Sequence, residues 1–182
     1  LLSLYKNIDI IKSTSKMNKT STKFELLSIE EQKENLKKLK TFWENDNWSL
    51  KYDYIILDLP PALNYITEKL LSISDAVIVP IELGTFAIQG IANVTDIINK
   101  VGSNFLGCFV SKFDTNNKSD FQLEEILRTN LGEKVFHTVI PYSNAIKNSV
   151  NYKLSSHEYM KWINPVKKYE ELTSEIIERL GN

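Results

Sequence analysis

Apolar residues in this chain follow two rhythms. From Lys51 onward, short unbroken apolar runs alternate with segments whose apolar positions recur every three or four residues, separated by brief polar breaks. That alternation is the mark of a parallel α/β sheet. The runs Tyr54–Asp58, Ala76–Pro80, Phe105–Ser111 and Val135–Ile140 predict strands, with Asn7–Ile11 a weaker, earlier one. They are rich in Ile, Val and Phe and nearly free of polar alternation, so helices are expected on both faces.

The intervening segments carry helix signals. Ser119-Asp120-Phe121-Gln122 matches a capping box, and Phe121, Leu123, Ile126, Leu127 and Leu131 form a stripe that stops at Gly132. Thr85 is placed to cap a helix with Ala87, Ile91, Val94, Ile98 and Val101 on one face and Gly102 at its end. A last helix has Asn164 as expected cap, Pro165 at its first position, a stripe of Val166, Tyr169, Leu172, Ile176 and Leu180, and Gly181 as its stop. These stripes read as core.

Residues 12–50 differ in kind, and 1–50 are assigned to a variable strand–loop–helix region of the same domain, with 51–182 as its α/β part. Ser13–Lys23 is polar and predicts a loop. Ser28-Ile29-Glu30-Glu31 is a second capping box, opening a Lys-rich helix with Leu36, Leu39, Phe42 and Trp43 inside. Its Lys33, Lys37, Lys38 and Lys40 are diluted by Glu30, Glu31 and Glu34, which favours a solvated face over a phosphate site.

Candidate chemistry centres on Tyr52–Pro61. A run of β-formers ends at Asp58, and Pro60 and Pro61 forbid its continuation. A carboxylate at the carboxyl end of a central strand sits where open α/β sheets bind ligands. A strand cap followed by a Pro-Pro turn explains the same residues without any ligand. A phosphate-cradling loop of the form G-x-x-x-x-G-K-[ST] normally accompanies such an aspartate. Gly84, Gly90, Gly102, Gly107, Gly132 and Gly181 are the six glycines, and none stands in that pattern. Two expectations follow: an amino-terminal segment lies outside this chain, or the protein lacks its phosphate site.

Composition narrows the classes. A formal net charge of −1 gives no global footprint for a nucleic-acid partner, which leaves only local basic patches. The single Cys108 cannot form an internal disulfide and lies in an apolar run, as a buried inert thiol does. His137 and His157 lack the company that a metal site requires. No apolar stretch approaches a membrane span, so a cytoplasmic location without membrane attachment is expected.

The order of pieces resembles the ParA (Soj-like) family of chromosome- and plasmid-partitioning ATPases. Lys51–Gly90 carries the family's YDYIIIDxPP-type segment, the strand Ala76-Val77-Ile78-Val79-Pro80, and the turn Phe86-Ala87-Ile88-Gln89-Gly90. The likeness resumes in Gly107–Asp114 and in Gly132–Pro141, which resembles GxxVFxTVIP, and extends to Tyr169, Leu172 and Ile176 of the final helix. The order of motifs over most of residues 51–180 is far more specific than any one of them. The implied fold is a mostly parallel twisted sheet with helices on both faces, P-loop NTPase-like and incomplete at its amino terminus.

The resemblance implies further roles. Asp58 would organise Mg²⁺ through water and couple the γ-phosphate of ATP to a switch stiffened by Pro60 and Pro61. Lys112 and Pro141 would neighbour the nucleotide base, although a solvated strand end and a turn former account for them equally. Lys118, Arg128, Lys147 and Lys153 remain as candidates for non-specific DNA binding, because Tyr142–Lys147 departs from the basic residues common after the Ile-Pro pair. Implied partners are a second copy in a homodimer, a centromere-bound ParB-like protein and DNA. Without the glycine-rich lysine loop, the 182-residue chain is expected to be inactive as an ATPase. A non-catalytic remnant that at most binds a partner is the alternative. The related septum-site MinD branch attaches to membranes through a basic amphipathic tail, whereas Glu170, Glu171, Glu175 and Glu178 make this tail acidic.

Overall fold

The computed structural model describes residues 2–5, 7–12, 22–45, 48–60 and 64–181. They fall into two compact units, Leu1–Ile73 and Ser74–Asn182.

In the first unit, β1 (Leu2–Tyr5) and β2 (Ile8–Ile10) form an antiparallel pair with Ser3 opposite Asp9. The earlier strand is therefore present but short. Helix α1 (Ile29–Asn45) starts where its capping box predicts: the Glu31 N–H donates to Ser28 Oγ at 3.2 Å, and the Ser28 N–H donates to the Glu31 carboxylate at 2.9 Å. Lys33, Lys37, Lys38 and Lys40 are all exposed along it, as a solvated face requires. The expected inner residues Leu39, Phe42 and Trp43 lie outside the described side chains, as does most of the loop expected over 13–23. A short α2 (Trp48–Lys51) follows, then α3 (Tyr65–Ser72), capped by Asn64, whose Oδ1 accepts the Thr67 N–H at 3.0 Å.

The run Tyr54–Asp58, predicted as a central strand, is not one. Residues 54–60 form neither helix nor ladder, and Ile56 is 89% exposed. An apolar run becomes a strand only when neighbours accept and donate along its edges, and no described residue pairs with this one.

The second unit holds the sheet. β3 (Val77–Glu82) and β4 (Phe105–Ser111) run parallel, joined through α4 (Ala87–Lys100). The prediction for β4 is met residue for residue, and β3 runs two residues beyond its predicted end. Helix α5 (Lys118–Leu131) leads into a 3₁₀ turn (Gly132–Lys134) with Gly132 at φ 52°. Three helices close the chain: α6 (Asn144–Asn151), α7 (Ser156–Met160) and α8 (Asn164–Leu180), the last ending on left-handed Gly181.

Val135–Ile140 lies alongside β4 without becoming a regular strand. The Phe136 N–H donates to the Cys108 carbonyl at 2.8 Å, and the Ile140 N–H donates to the Val110 carbonyl at 2.9 Å. Between them the ladder fails, because the Thr138 N–H donates to Glu175 Oε2 at 2.9 Å instead. Core packing explains why the segment still sits there. Phe136 and Ile140 are buried against Leu106 and Leu172, with Ile78, Phe109, Ile176 and Leu180 around them. Gly107, at φ 151°, permits this approach, since a Cβ there would run into the Lys134 carbonyl and stand 2.9 Å from the Phe136 ring.

Three cap expectations are corrected. Asn117, not Ser119, caps α5, accepting the Ser119 N–H at 3.1 Å, because Asp120 is committed to the Asp114 N–H and the Asn117 amide. Helix α4 is capped at Phe86 without a side-chain bond, so Thr85 does not serve. Ile163 precedes α8, so Asn164 is inside it. Three stripe residues also turn outward, Phe121, Ile126 and Tyr169, while Leu127 is fully buried.

Candidate functional site

The carboxyl ends of β3 and β4 gather polar groups in one place. Glu82 closes β3, and Lys112 follows β4 in a left-handed conformation at φ 55°. A non-glycine residue held there costs about 1–3 kcal/mol, so the surrounding chain over-determines it. Lys112 Nζ lies 2.6 Å from Glu82 Oε2. The hydrogen bond to Glu82, with its charge, pushes the Lys112 pKa up. Both side chains are well exposed, so solvent screens the pair and it adds little to stability.

The next residue joins the neighbouring run. The Phe113 N–H donates to the Ile140 carbonyl at 3.0 Å, the Tyr142 N–H returns to the Phe113 carbonyl at 2.9 Å, and Phe113 bridges Pro141 in parallel. Lys112 and Pro141, singled out separately in the sequence, are thus brought to adjacent strand ends. Beyond them the Asp114–Asp120 loop is locked by side-chain bonds. Asp120 is buried and accepts the Asp114 N–H at 2.9 Å and the Asn117 amide at 2.7 Å, while Asp114 Oδ1 accepts the Asn116 N–H at 2.9 Å. Edge-to-face contact of Phe113 with Phe121, at 4.9 Å between centroids, fixes this loop to α5.

Behind the edge, α8 clamps the run that carries Pro141. Glu175 accepts the His137 N–H at 2.7 Å and the Thr138 N–H at 2.9 Å. Arg179 donates to Glu175 at 2.8 Å, to the Glu133 carbonyl at 2.7 Å and to the Val135 carbonyl at 3.1 Å, with its guanidinium 3.9 Å from the Phe136 ring centroid. Burial raises the Glu175 carboxyl, but the backbone donors of His137 and Thr138, with Thr138's hydroxyl and Arg179, outweigh it and hold the group below its ordinary value. Glu175, read in the sequence as part of the acidic polar face, therefore turns inward. Its i, i+4 spacing from Arg179 was the available signal.

Asp58 lies in the first unit on the exposed run 54–60, as does Pro60. Pro61 lies outside the described residues. A single exposed carboxylate fits Mg²⁺ only as one ligand beside waters and phosphate oxygens. Among the described residues, no three His, Cys, Asp or Glu side chains are gathered for a metal.

The four basic candidates lie on two stretches of the chain. Lys118 and Arg128 stand at opposite ends of α5, about 15 Å apart. Arg128 is held by Glu124 at 2.8 Å. Lys147 lies on α6 and Lys153 just after it, both exposed, the latter at φ 55°. The sequence reading missed Glu82, which the reasoning applied to Asp58 would have found: a carboxylate at the carboxyl end of a strand. No helix among the described residues is long and apolar enough to cross a membrane.

Residues 2–107 match the AAA domain family. Among similar proteins, the chromosome-partitioning ATPase Soj of Treponema pallidum is 28% identical over 136 residues, covering 71% of this chain and 54% of that protein. The protein of the same name from Thermus thermophilus is 27% identical over 135 residues, with 71% and 54% covered. The chromosome partitioning protein ParA of Caulobacter vibrioides is 27% identical over 107 residues, with 56% and 40% covered. The chain thus spans about half the length of the curated relatives it matches.

Proposed function

The chain belongs to the AAA domain family and is ParA/Soj-like within it, and from that premise we propose that it is the carboxyl-side portion of a partition ATPase. In its intact form the protein binds ATP and Mg²⁺, dimerises with ATP, coats DNA without sequence preference, and answers to a centromere-bound ParB-like partner. It works in the cytoplasm on nucleoid or plasmid DNA. The observation that carries this reading is the ordered likeness to Soj proteins over 71% of the chain, supported by polar residues converging at the carboxyl ends of parallel strands.

In this reading Asp58 holds Mg²⁺ through water, and Pro60 and Pro61 transmit the phosphate state. Lys112 and Pro141 flank the base, and opening the exposed Lys112–Glu82 pair admits it. Lys118, Arg128, Lys147 and Lys153 share the DNA contacts, Arg128 weakly because Glu124 already neutralises it. The phosphate-cradling loop comes from outside these 182 residues.

Two measurements on the protein recovered from its source cells test this. Its intact mass is expected well above 21.0 kDa, with a glycine-rich lysine loop upstream. Sedimentation is expected to show a dimer with ATP and Mg²⁺ and a monomer with ADP. A mass equal to this chain, together with nucleotide-independent sedimentation, would favour the non-catalytic remnant. The DNA reading is checked by salt: duplex affinity must fall steeply as salt rises, and a flat response contradicts it.

A further inference from the structure

One more group stands at the edge formed by Glu82, Lys112 and Pro141. Tyr142 follows Pro141 directly, and its N–H bond to the Phe113 carbonyl holds it beside the end of β4. Its hydroxyl donates to Asn144 Oδ1 at 3.0 Å, which fixes the ring, and the residue is 51% exposed. Glu82 is the main cause of the raised Lys112 pKa, and Tyr142 and Tyr169 add smaller contributions, so both phenols stand within electrostatic reach of the ammonium. A flat exposed ring, a carboxylate and an ammonium therefore share one strand edge.

Such a set is complementary to a planar heterocycle. A base stacks on an exposed aromatic ring through its π face, and its rim then meets a donor in Lys112 and an acceptor in Glu82. Both purines match that pair. Adenine offers its N6 amino group to the carboxylate and N1 to the ammonium, whereas guanine offers N1–H with its N2 amino group and O6. Telling the two apart requires buried polar groups, because only there does the wrong base leave a donor or acceptor unsatisfied. The Lys112 and Glu82 side chains are 59% and 64% exposed. Both are long and rotatable, so water serves whichever one the base leaves idle.

We propose that Tyr142 is the stacking platform for a purine base and that the Glu82–Lys112 pair accepts guanine as readily as adenine. This rests on the nucleotide-binding reading of the same edge and widens its substrate class to purine nucleoside triphosphates, GTP with ATP. Pyrimidines also carry donors and acceptors on their rims, but a single ring covers less of the phenol, so stacking alone disfavours CTP. The platform is set by the sheet as well as by its own side chain. Phe113 bridges Pro141 in parallel and accepts the Tyr142 N–H, which ties the ring's backbone to the strand end that carries Lys112.

The test is competition on the intact protein recovered from its source cells, with Mg²⁺ present. A fluorescent ATP labelled on its ribose is displaced by unlabelled ATP, GTP or CTP. The expected dissociation constants for ATP and GTP agree within about threefold, since exposed groups discriminate weakly, and CTP binds about tenfold more weakly than either. Tyr142→Ala should weaken ATP and GTP by the same factor, about tenfold, while Tyr142→Phe binds both as wild type does. Neither variant should move the melting temperature appreciably, the ring being half-exposed. If ATP binds, a GTP affinity lower by more than about tenfold overturns the proposal and leaves the partition reading standing. Tyr142→Ala that binds both nucleotides like wild type does the same. Binding of no nucleotide overturns both.

Discussion

Replacing Glu175 by Ala removes the acceptor that positions the Val135–Ile140 run. Both Glu175 oxygens are used, by the His137 and Thr138 backbone donors at 2.7 and 2.9 Å, and Arg179 closes the pair at 2.8 Å. The two side chains are only 12% and 18% exposed, so solvent replaces little of what is lost. Hydrogen bonds to a charged group contribute about 1.5–3 kcal/mol each, and breaking a buried pair costs about 3–5 kcal/mol. Arg179 keeps its carbonyl acceptors at Leu106, Glu133 and Val135, which softens the loss, and the expected destabilisation is about 3 kcal/mol. For a chain of this length that lowers the melting temperature by about 6–12 °C. Urea unfolding of wild type, Glu175→Ala, Arg179→Ala and the double variant isolates the coupling, expected above about 1 kcal/mol. The pH dependence follows from the same contacts. Because the folded carboxyl titrates below its ordinary value of 4.5, the stabilisation is present above that value and is lost as pH falls through the folded one. A destabilisation under about 1 kcal/mol, or a variant as acid-sensitive as wild type, would refute the clamp.

Other consequences can be checked separately. Gly107→Ala should destabilise by about 2–4 kcal/mol, combining a backbone clash with a φ that side chains avoid, and a melt within a degree or so of wild type would disprove the close approach. Cys108 is fully buried, and burial pushes its thiol up to about 11. It should therefore ignore a thiol reagent at neutral pH until urea unfolds the chain; rapid native labelling would contradict that packing. The purified 182-residue chain should hydrolyse no ATP, and robust turnover would end the argument from the absent glycine loop.

Much of the fold was legible because its signals are local. Gly132 and Gly181 stop helices by adopting positive φ, and the Ser28–Glu31 box needs only four neighbouring residues. The β4 run was found whole because it is apolar throughout and covered on both faces. The misses share a cause: each depends on a partner outside the segment that was read. Tyr54–Asp58 has the composition of a strand, but composition supplies no edge to pair with. Val135–Ile140 looked continuous because nothing near it announces that Glu175, far along the chain, takes the Thr138 N–H. Ser119 fits its capping pattern, yet Asp120 is diverted to Asp114, and Asn117 takes the role. At the site, Lys112 and Pro141 were named from a likeness alone, and the Phe113 bridge is what puts them at adjacent strand ends.

The central claim, membership put to work as a partition ATPase, is tested most directly by ATP turnover of the protein purified intact from its source cells, with Asp58→Ala beside it. The account predicts measurable turnover that is abolished by the substitution while the melting temperature is unchanged, Asp58 being exposed. Turnover equal in the two proteins would remove Asp58 from the mechanism, and no turnover in either would leave a partner-binding protein in place of an ATPase.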